Sequence, residues 1–275
     1  MVRPRPRRSA APLSRVAEAY SDGAEAWADG PARVYERLAV ALVEFSPWSL
    51  HGTSVLDLGS GTGDGSRAAL AAGARVVATD LVVDMLRVAQ PTRPPAVAAQ
   101  AVELPFHRGS FDVVLAAFSL NHLDDPADGI REAGRIGRHL LASTYAADDD
   151  HPAKAAVETA LTEMGWKRPE WYSQVKIRMA EWGTVAAATT MIERASLVPT
   201  RVEQLEITYD DLGPEELVAW RLGLAQSASF IASLDRDARQ RVKTRALELL
   251  GPHPGRLVRS VIFLAATGEP TRASP

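Results

Sequence analysis

Cysteine is absent from the 275-residue chain. Its absence excludes disulfides, a thiolate metal site and a cysteine nucleophile, and removes the usual mark of a secreted domain. Excess charge of either sign is also missing. The formal net charge is −3 with 24% charged residues, so neither nucleic acid nor an anionic membrane is expected as a partner. No apolar run has the length of a membrane span. Residues 1–12 carry Arg3, Arg5, Arg7 and Arg8 among prolines, with no apolar stretch behind them. An anion-binding arm and a loose tail are both readings of that segment. Its composition favours the tail, no signal peptide and a cytoplasmic protein. No G-x-S-x-G elbow is present, which argues against a hydrolase of that type. His51, His107, His139 and His253 show no i, i+4 pairing of the zinc kind, and no metal is expected.

What the chain does contain is 46% hydrophobic residues, enough for a large core. Helical spacing starts near Leu13 and continues through Val34, Leu38, Leu42 and Phe45 to Pro47. Short apolar runs then alternate with helical stretches. The runs are 55–58, 76–80, 97–100, 113–118 and 140–144; the helices are 64–72, 84–90 and 125–137, each with an Asp near its start. Short, doubly buried strands between helices predict a parallel α/β sheet. After Tyr145 the pattern changes. Residues 146–183 hold Trp166, Trp171, Tyr172 and Trp182 and the acidic run Asp148–Asp150. Further strands are expected at 202–209 and 257–266. Gly213-Pro214 opens a helix between them, and Asp235 is a candidate cap for another.

The densest signal is Val55-Leu56-Asp57-Leu58-Gly59-Ser60-Gly61-Thr62-Gly63-Asp64: a buried strand, a glycine turn and a helix start. Glycines let a ligand lie close to the backbone, and the helix start offers free N–H groups. A dinucleotide fingerprint would need Gly at position 64. Asp64 stands there instead, unfavourably for a pyrophosphate, and Asp57 suits a cationic ligand such as an ammonium group. Asp80 ends the next apolar run. An acid about 20 residues beyond the first strand commonly accepts hydrogen bonds from ribose hydroxyls. An alternative role for it is to cap the following turn.

The segments VLDLGSGTGDGS, VVATDLVVDML, AVELPFHRGSFDVVLAAFSLNHL and HLLASTY resemble successive motifs of class I S-adenosylmethionine-dependent methyltransferases. They are most similar to the bacterial small-molecule group that includes quinone-biosynthesis enzymes. The resemblance covers residues 52–146 and implies a Rossmann-like seven-stranded sheet, mostly parallel with an antiparallel last strand, with helices on both faces. It divides the chain into a tail (1–12), an N-terminal helical cap (13–50), a cofactor-binding core (51–146), a helical lid insert (147–200), a C-terminal part of the sheet (201–268) and a second tail (269–275). It implies that Asp57, Gly59, Ser60 and Gly61 hold the methionine end of S-adenosyl-L-methionine. Asp80 would hold the ribose, Leu81 and Met85 would line the adenine, and backbone near Ala117 and Phe118 would complete the methionine site. Where the family usually has Asp-Ala reading adenine, this chain has Gln100-Ala101, followed by Val102. A Gln oxygen still accepts a hydrogen bond but carries no charge.

Similar proteins place an N-terminal aromatic over the sulfonium, which makes Tyr20 a candidate, with Trp27 and Tyr35 beyond it. Simple core packing is the alternative. His122, after the fourth strand, is the candidate general base; a structural His bonded to backbone is the alternative. The run Asp148–Asp150 is read as a solvated loop rather than a magnesium site. The expected function is methyl transfer to O, C or N of a small, apolar or aromatic metabolite by a monomer or homodimer. High Ala and Arg content suggests a bacterial source and natural-product chemistry. The alternative is a methyltransferase-like fold that binds a ligand without methylating it, as a cyclase-type scaffold or a regulatory binder.

Overall fold

Neighbouring residues within the central strands send their side chains to opposite faces. Val55 and Leu56, Val113 and Val114, and Leu140 and Leu141 are all buried, one of each pair in either of two separate cores. A strand with both faces apolar must be covered on both sides, and the computed structural model, which describes residues 11–88 and 93–268, shows that it is. On one face lie helices Ala32–Phe45, Pro152–Glu163, Pro214–Leu222 and Arg236–Leu250. On the other lie Pro126–Ile136 and Val185–Arg194.

The sheet has seven strands: β1 (Ser54–Leu58), β2 (Arg75–Asp80), β3 (Ala96–Ala98), β4 (Phe111–Ala116), β5 (Gly137–Tyr145), β6 (Leu197–Tyr209) and β7 (Leu257–Gly268), in the order β3-β2-β1-β4-β5-β7-β6. All pairings from β3 to β5 are parallel, and β7 runs antiparallel to both of its neighbours. The chain leaves β1 toward β2 and β3, then returns to build β4 on its other side. In open sheets of this kind ligands bind at the carboxyl ends of the strands at that reversal.

Local chemistry sets several boundaries. Asp125 caps the helix Pro126–Ile136 by accepting from the Ala127 amide, with Pro126 at the first helical position. Asp235 caps Arg236–Leu250 by accepting from the Ala238 amide at 2.7 Å. Other boundaries differ from the sequence expectation. The first helix begins at Ala11, β3 stops at Ala98 and β4 stops at Ala116. Gln100 therefore lies in a turn with Glu103, and Ala117 and Phe118 lie in a loop. Strand β6 begins at Leu197 rather than Val202, because pairing with β7 continues through a bulge between Pro199 and Arg201. The basic stretch Arg3–Arg8, the end of the 84–90 helix and the tail 269–275 fall outside the described residues. Among the described residues no helix is long and apolar enough to cross a membrane.

Candidate functional site

The end of β1 and the glycine turn form the floor of the site. The Ser60 amide donates to the Thr79 carbonyl at 2.8 Å, tying the turn to β2. Asp80 sits at the tip of β2. Its Oδ2 accepts from the Gly61 amide at 2.8 Å and its Oδ1 from the Val82 amide at 2.8 Å. An ionised carboxylate has about four acceptor positions, so two remain for a ligand. Burial raises the Asp80 carboxyl above its ordinary value, against the pull of these backbone donors.

The first glycine of the turn meets a packing requirement besides the one its motif suggests. Gly59 has φ +68°, and a Cβ there would lie 2.4 Å from the Ser119 Cβ. Ser119 itself donates to the Leu58 carbonyl at 2.6 Å. Gly59 is thus required by the packing of the β4 loop against the turn, whereas a Cβ on Gly61 would meet only the flexible Met85 methyl at 3.3 Å. Asp57 is 1% exposed and accepts from the Ser66 hydroxyl at 2.6 Å. Burial pushes its carboxyl up to about 6, with the Ser66 hydrogen bond acting in the opposite direction. Asp64, also raised to about 6 by burial, is paired with Arg67.

One cavity of about 240 Å³ runs from this floor across the carboxyl ends of the strands. All the residues that the sequence nominated line it. Asp57, Gly59, Ser60, Gly61 and Asp80 form the floor. Leu81 and Met85 stand with Gln100, Ala101 and Val102 on the β2–β3 side, while Ala117, Phe118, Tyr20 and His122 stand on the β4 side. Among the described residues no side-chain hydrogen bond engages Gln100. Phe118 adopts φ +56°, uncommon outside glycine. It is held there because its amide donates to the Ser143 hydroxyl at 3.0 Å and its ring stacks on Tyr145 at 4.6 Å. That amide is therefore already engaged.

His122 sits at the end of the short helix Leu120–His122, and its Nε2 is 3.1 Å from the Tyr20 hydroxyl. Its Nδ1 is buried without a partner among the described residues. Burial, with the Arg178 charge adding to it, lowers His122 to about 4, so the imidazole is neutral at pH 7. Burial also holds the Tyr20 phenol well above its ordinary value. Beyond this pair an aromatic series continues: Tyr20 to Trp27 at 5.6 Å, Trp27 to Tyr35 at 4.7 Å and Tyr35 to Phe118 at 5.6 Å between ring centroids.

Sequence reasoning missed the residues at the far end of the cavity. Asp149, Lys154, Trp220, Arg221 and Arg259 line it there. Asp149 was grouped with a solvated acidic loop, yet it is buried between Arg259 and Lys154. Asp148 instead accepts from Gln204, and Asp150 is exposed. The three acids therefore point to no common centre. The aromatics of the insert also divide. Tyr172 lines the cavity together with Val175, Lys176 and Met179, one face of helix Glu170–Glu181. Trp166 and Trp182 are buried in the two cores. Arg93 was missed as well. It donates to the Gly61 carbonyl at 3.0 Å and to the Ser60 hydroxyl at 3.3 Å, against the glycine turn.

Comparison with known proteins adds to this geometry. Residues 56–139 match a family model described as a methyltransferase domain. A demethylmenaquinone methyltransferase of Renibacterium salmoninarum is 33% identical over 164 residues, covering 58% of this chain and 66% of that enzyme. One from Streptomyces avermitilis is 31% identical over 164 residues, covering 58% and 67%. The chain belongs to the class I S-adenosylmethionine-dependent methyltransferases. The match spans about two thirds of the length of these two relatives.

Solved structures with this fold include phosphoethanolamine N-methyltransferase 2 of Haemonchus contortus with S-adenosylhomocysteine (TM-score 0.50, 20% identity, 84% of this chain and 52% of that one). Another is the [4+2]-cyclase SpnF (TM-score 0.52, 16% identity, 85% and 80%). The cofactor of this methyltransferase is S-adenosylmethionine, and the cavity suits it. Asp80 keeps acceptor positions for a diol, Gly61 is bare beside it, and the buried Asp57 carboxylate is matched to a cation.

Proposed function

We propose that this methyltransferase moves the methyl group of S-adenosylmethionine to an O, N or C atom of a small aromatic molecule. The reading rests on one observation. A single cavity joins the Asp57–Gly61–Asp80 floor to an aromatic-walled chamber, with the Tyr20–His122 pair between them. The bound cofactor would supply an activated methyl group on a sulfonium. The chain's own residues would do the rest. Asp80 takes the ribose hydroxyls, Asp57 faces the amino-acid ammonium, and Gln100 accepts from the adenine amino group.

Positioning carries most of the catalysis, because an already reactive donor needs its acceptor held in line at about 3 Å. Helix Glu170–Glu181 roofs the chamber with Tyr172, Val175 and Met179 and keeps water from the transfer. The neutral His122 can hold an acceptor oxygen and take up its proton. Its low basicity makes that contribution small.

The test is an acceptor screen by mass spectrometry, measuring a gain of one methyl group and release of S-adenosylhomocysteine. It includes naphthoquinols, because the relatives carry demethylmenaquinone in their name. Turnover that Asp80→Asn suppresses supports the proposal. Tight S-adenosylhomocysteine binding without turnover of any aromatic acceptor argues instead for a binding protein.

A further inference from the structure

The cavity is electrically divided. Asp57, Asp64 and Asp80 line the end assigned to the cofactor, whereas Lys154, Lys176, Arg221 and Arg259 line the other end, where Asp149 is the sole acid. Arg259 is 3% exposed. Its guanidinium lies 4.3 Å from the Tyr145 ring centre and 4.8 Å from that of Trp220. Its Nε and Nη2 each donate to Asp149 at 2.9 Å. The same carboxylate also receives Lys154 at 2.8 Å, and Lys154 has a second, exposed partner in Asp150 at 3.8 Å. Inside the cavity one buried anion serves two cations, with Lys176 and Arg221 beside them, so positive charge is in surplus among the lining residues; burial, with the Arg259 and Lys176 charges adding to it, lowers Lys154 to about 8.

Among the described residues, three nitrogens at this end are buried with no partner: Arg259 Nη1, Trp220 Nε1 and Arg221 Nε. All three can only donate. Unpaired buried donors are costly, charged ones most of all, and a group rich in acceptors relieves them. The path from the cofactor end to Arg259 is aromatic throughout: Tyr35, Phe118 and Tyr145 follow Tyr20 and Trp27, and Arg259 stacks on the last ring.

We infer that the acceptor is an aromatic molecule bearing a carboxylate, which docks against Arg259 Nη1 and Trp220 Nε1 while its ring lies along the aromatic wall toward His122. The inference rests on the methyltransferase reading for its cofactor end but not for its anion site. A neutral carbonyl would satisfy the donors and leave the surplus charge unanswered; a carboxylate answers both.

The experiment is calorimetric titration of the whole protein with 2-naphthoate and with its neutral isostere 2-naphthamide, each with and without saturating S-adenosylhomocysteine. Naphthoate is expected to bind about tenfold or more tightly than the amide, as befits a charge-assisted hydrogen bond. Arg259→Gln should erase that preference. Because Arg259→Gln also unpairs the buried Asp149, Lys154→Met serves as a second variant, weakening naphthoate severalfold and leaving the amide unchanged. Equal binding of the two probes by the unaltered protein, or no naphthoate binding up to millimolar concentration, overturns the inference. The S-adenosylhomocysteine titration reports separately on the other end. Cofactor binding without a carboxylate preference removes the anion site and leaves the methyltransferase reading standing. A carboxylate preference without cofactor binding does the reverse.

Discussion

Replacing Asp80 by Asn tests the cofactor floor with almost no change in volume. The carboxylate holds the Gly61 and Val82 amides, one on each oxygen, both at 2.8 Å. An Asn amide has one oxygen to offer and must turn its NH₂ toward the other backbone donor. One backbone hydrogen bond is lost and two donors face each other, which costs the unliganded protein about 1–3 kcal/mol. The larger effect falls on the ligand. A ribose diol donates two hydrogen bonds to the free lone pairs of the carboxylate, each worth about 1.5–3 kcal/mol when the acceptor is charged. In the variant one of these has no acceptor and the other meets a neutral oxygen. The expected loss is about 2–4 kcal/mol, or roughly 30- to 1,000-fold in Kd. The assay is calorimetric titration with S-adenosylhomocysteine at neutral pH, beside a thermal melt showing that the unliganded variant is folded. A folded Asp80→Asn protein whose Kd stays within threefold of the parent's would refute the reasoning, because the diol would then lie elsewhere.

Three further outcomes follow from the same geometry. Gly59→Ala must place a side chain at φ +68° and 2.4 Å from the Ser119 Cβ. It should destabilise the fold by about 2 kcal/mol or more, read as a fall in the urea midpoint; a Gly59→Ala,Ser119→Gly double variant should recover part of the loss. Asp57 titrates near 6 in the fold, above its ordinary 3.8, because it is buried. Between about pH 4 and 6 the folded chain holds a proton that the unfolded chain has released, so ionising Asp57 subtracts stability as the pH rises through that window. A cationic ligand prefers the ionised form. Affinity for S-adenosylhomocysteine should therefore climb from pH 5 to about 7 and then level off, with proton release on binding at pH 5.5 that Asp57→Asn abolishes. Finally, with His122 lowered to about 4 by burial, His122→Gln should reduce kcat by about tenfold or less on any acceptor found. A loss above a hundredfold would show that the imidazole is a required base.

The residues proposed to hold the cofactor converge on one end of the cavity, and that convergence is legible in the sequence because its signals are local. A doubly apolar run, a glycine turn and an acid closing the next run lie between Val55 and Asp80, and their geometry follows from chain connectivity alone. Even there the chain order left one point out. Gly59 reads as clearance for a ligand, and it also clears Ser119, a residue 60 positions on that only the pairing of β1 with β4 brings near. The far end was illegible for the same reason on a larger scale. Arg259 reads as one charge in an apolar strand and Asp149 as one acid in a polar loop. They meet because β7 pairs antiparallel with β5, setting Tyr145 opposite Val261. No periodicity announces a register between segments more than 100 residues apart. The places of Trp166 and Trp182, in the two cores, are not legible because an aromatic in a helical insert satisfies core and cavity equally well in sequence. Only packing separates them from Tyr172.

The two ends of the cavity also come from different parts of the chain, and this bears on what similarity can establish. Residues 56–139 match the family model, and within them lie Asp57, the glycine turn, Asp80, Gln100 and His122. Phe118 apart, the residues named for the chamber beyond His122 lie outside that stretch: Tyr20, Trp27 and Tyr35 precede it, and Tyr145, Asp149, Lys154, Trp220 and Arg259 follow it. The family model therefore spans the end of the cavity proposed for the cofactor and little of the end proposed for the acceptor. The two relatives align over 164 residues, but at 31–33% identity they need not share the residues of the acceptor end. In the proposed reading that end is built by the N-terminal helices, the helix Glu170–Glu181 and strand β7. Those elements present a basic, donor-rich end opposite an acidic one, so the acceptor is better inferred from Arg259 and the unpaired nitrogens of Arg259, Trp220 and Arg221 than from the names of the relatives.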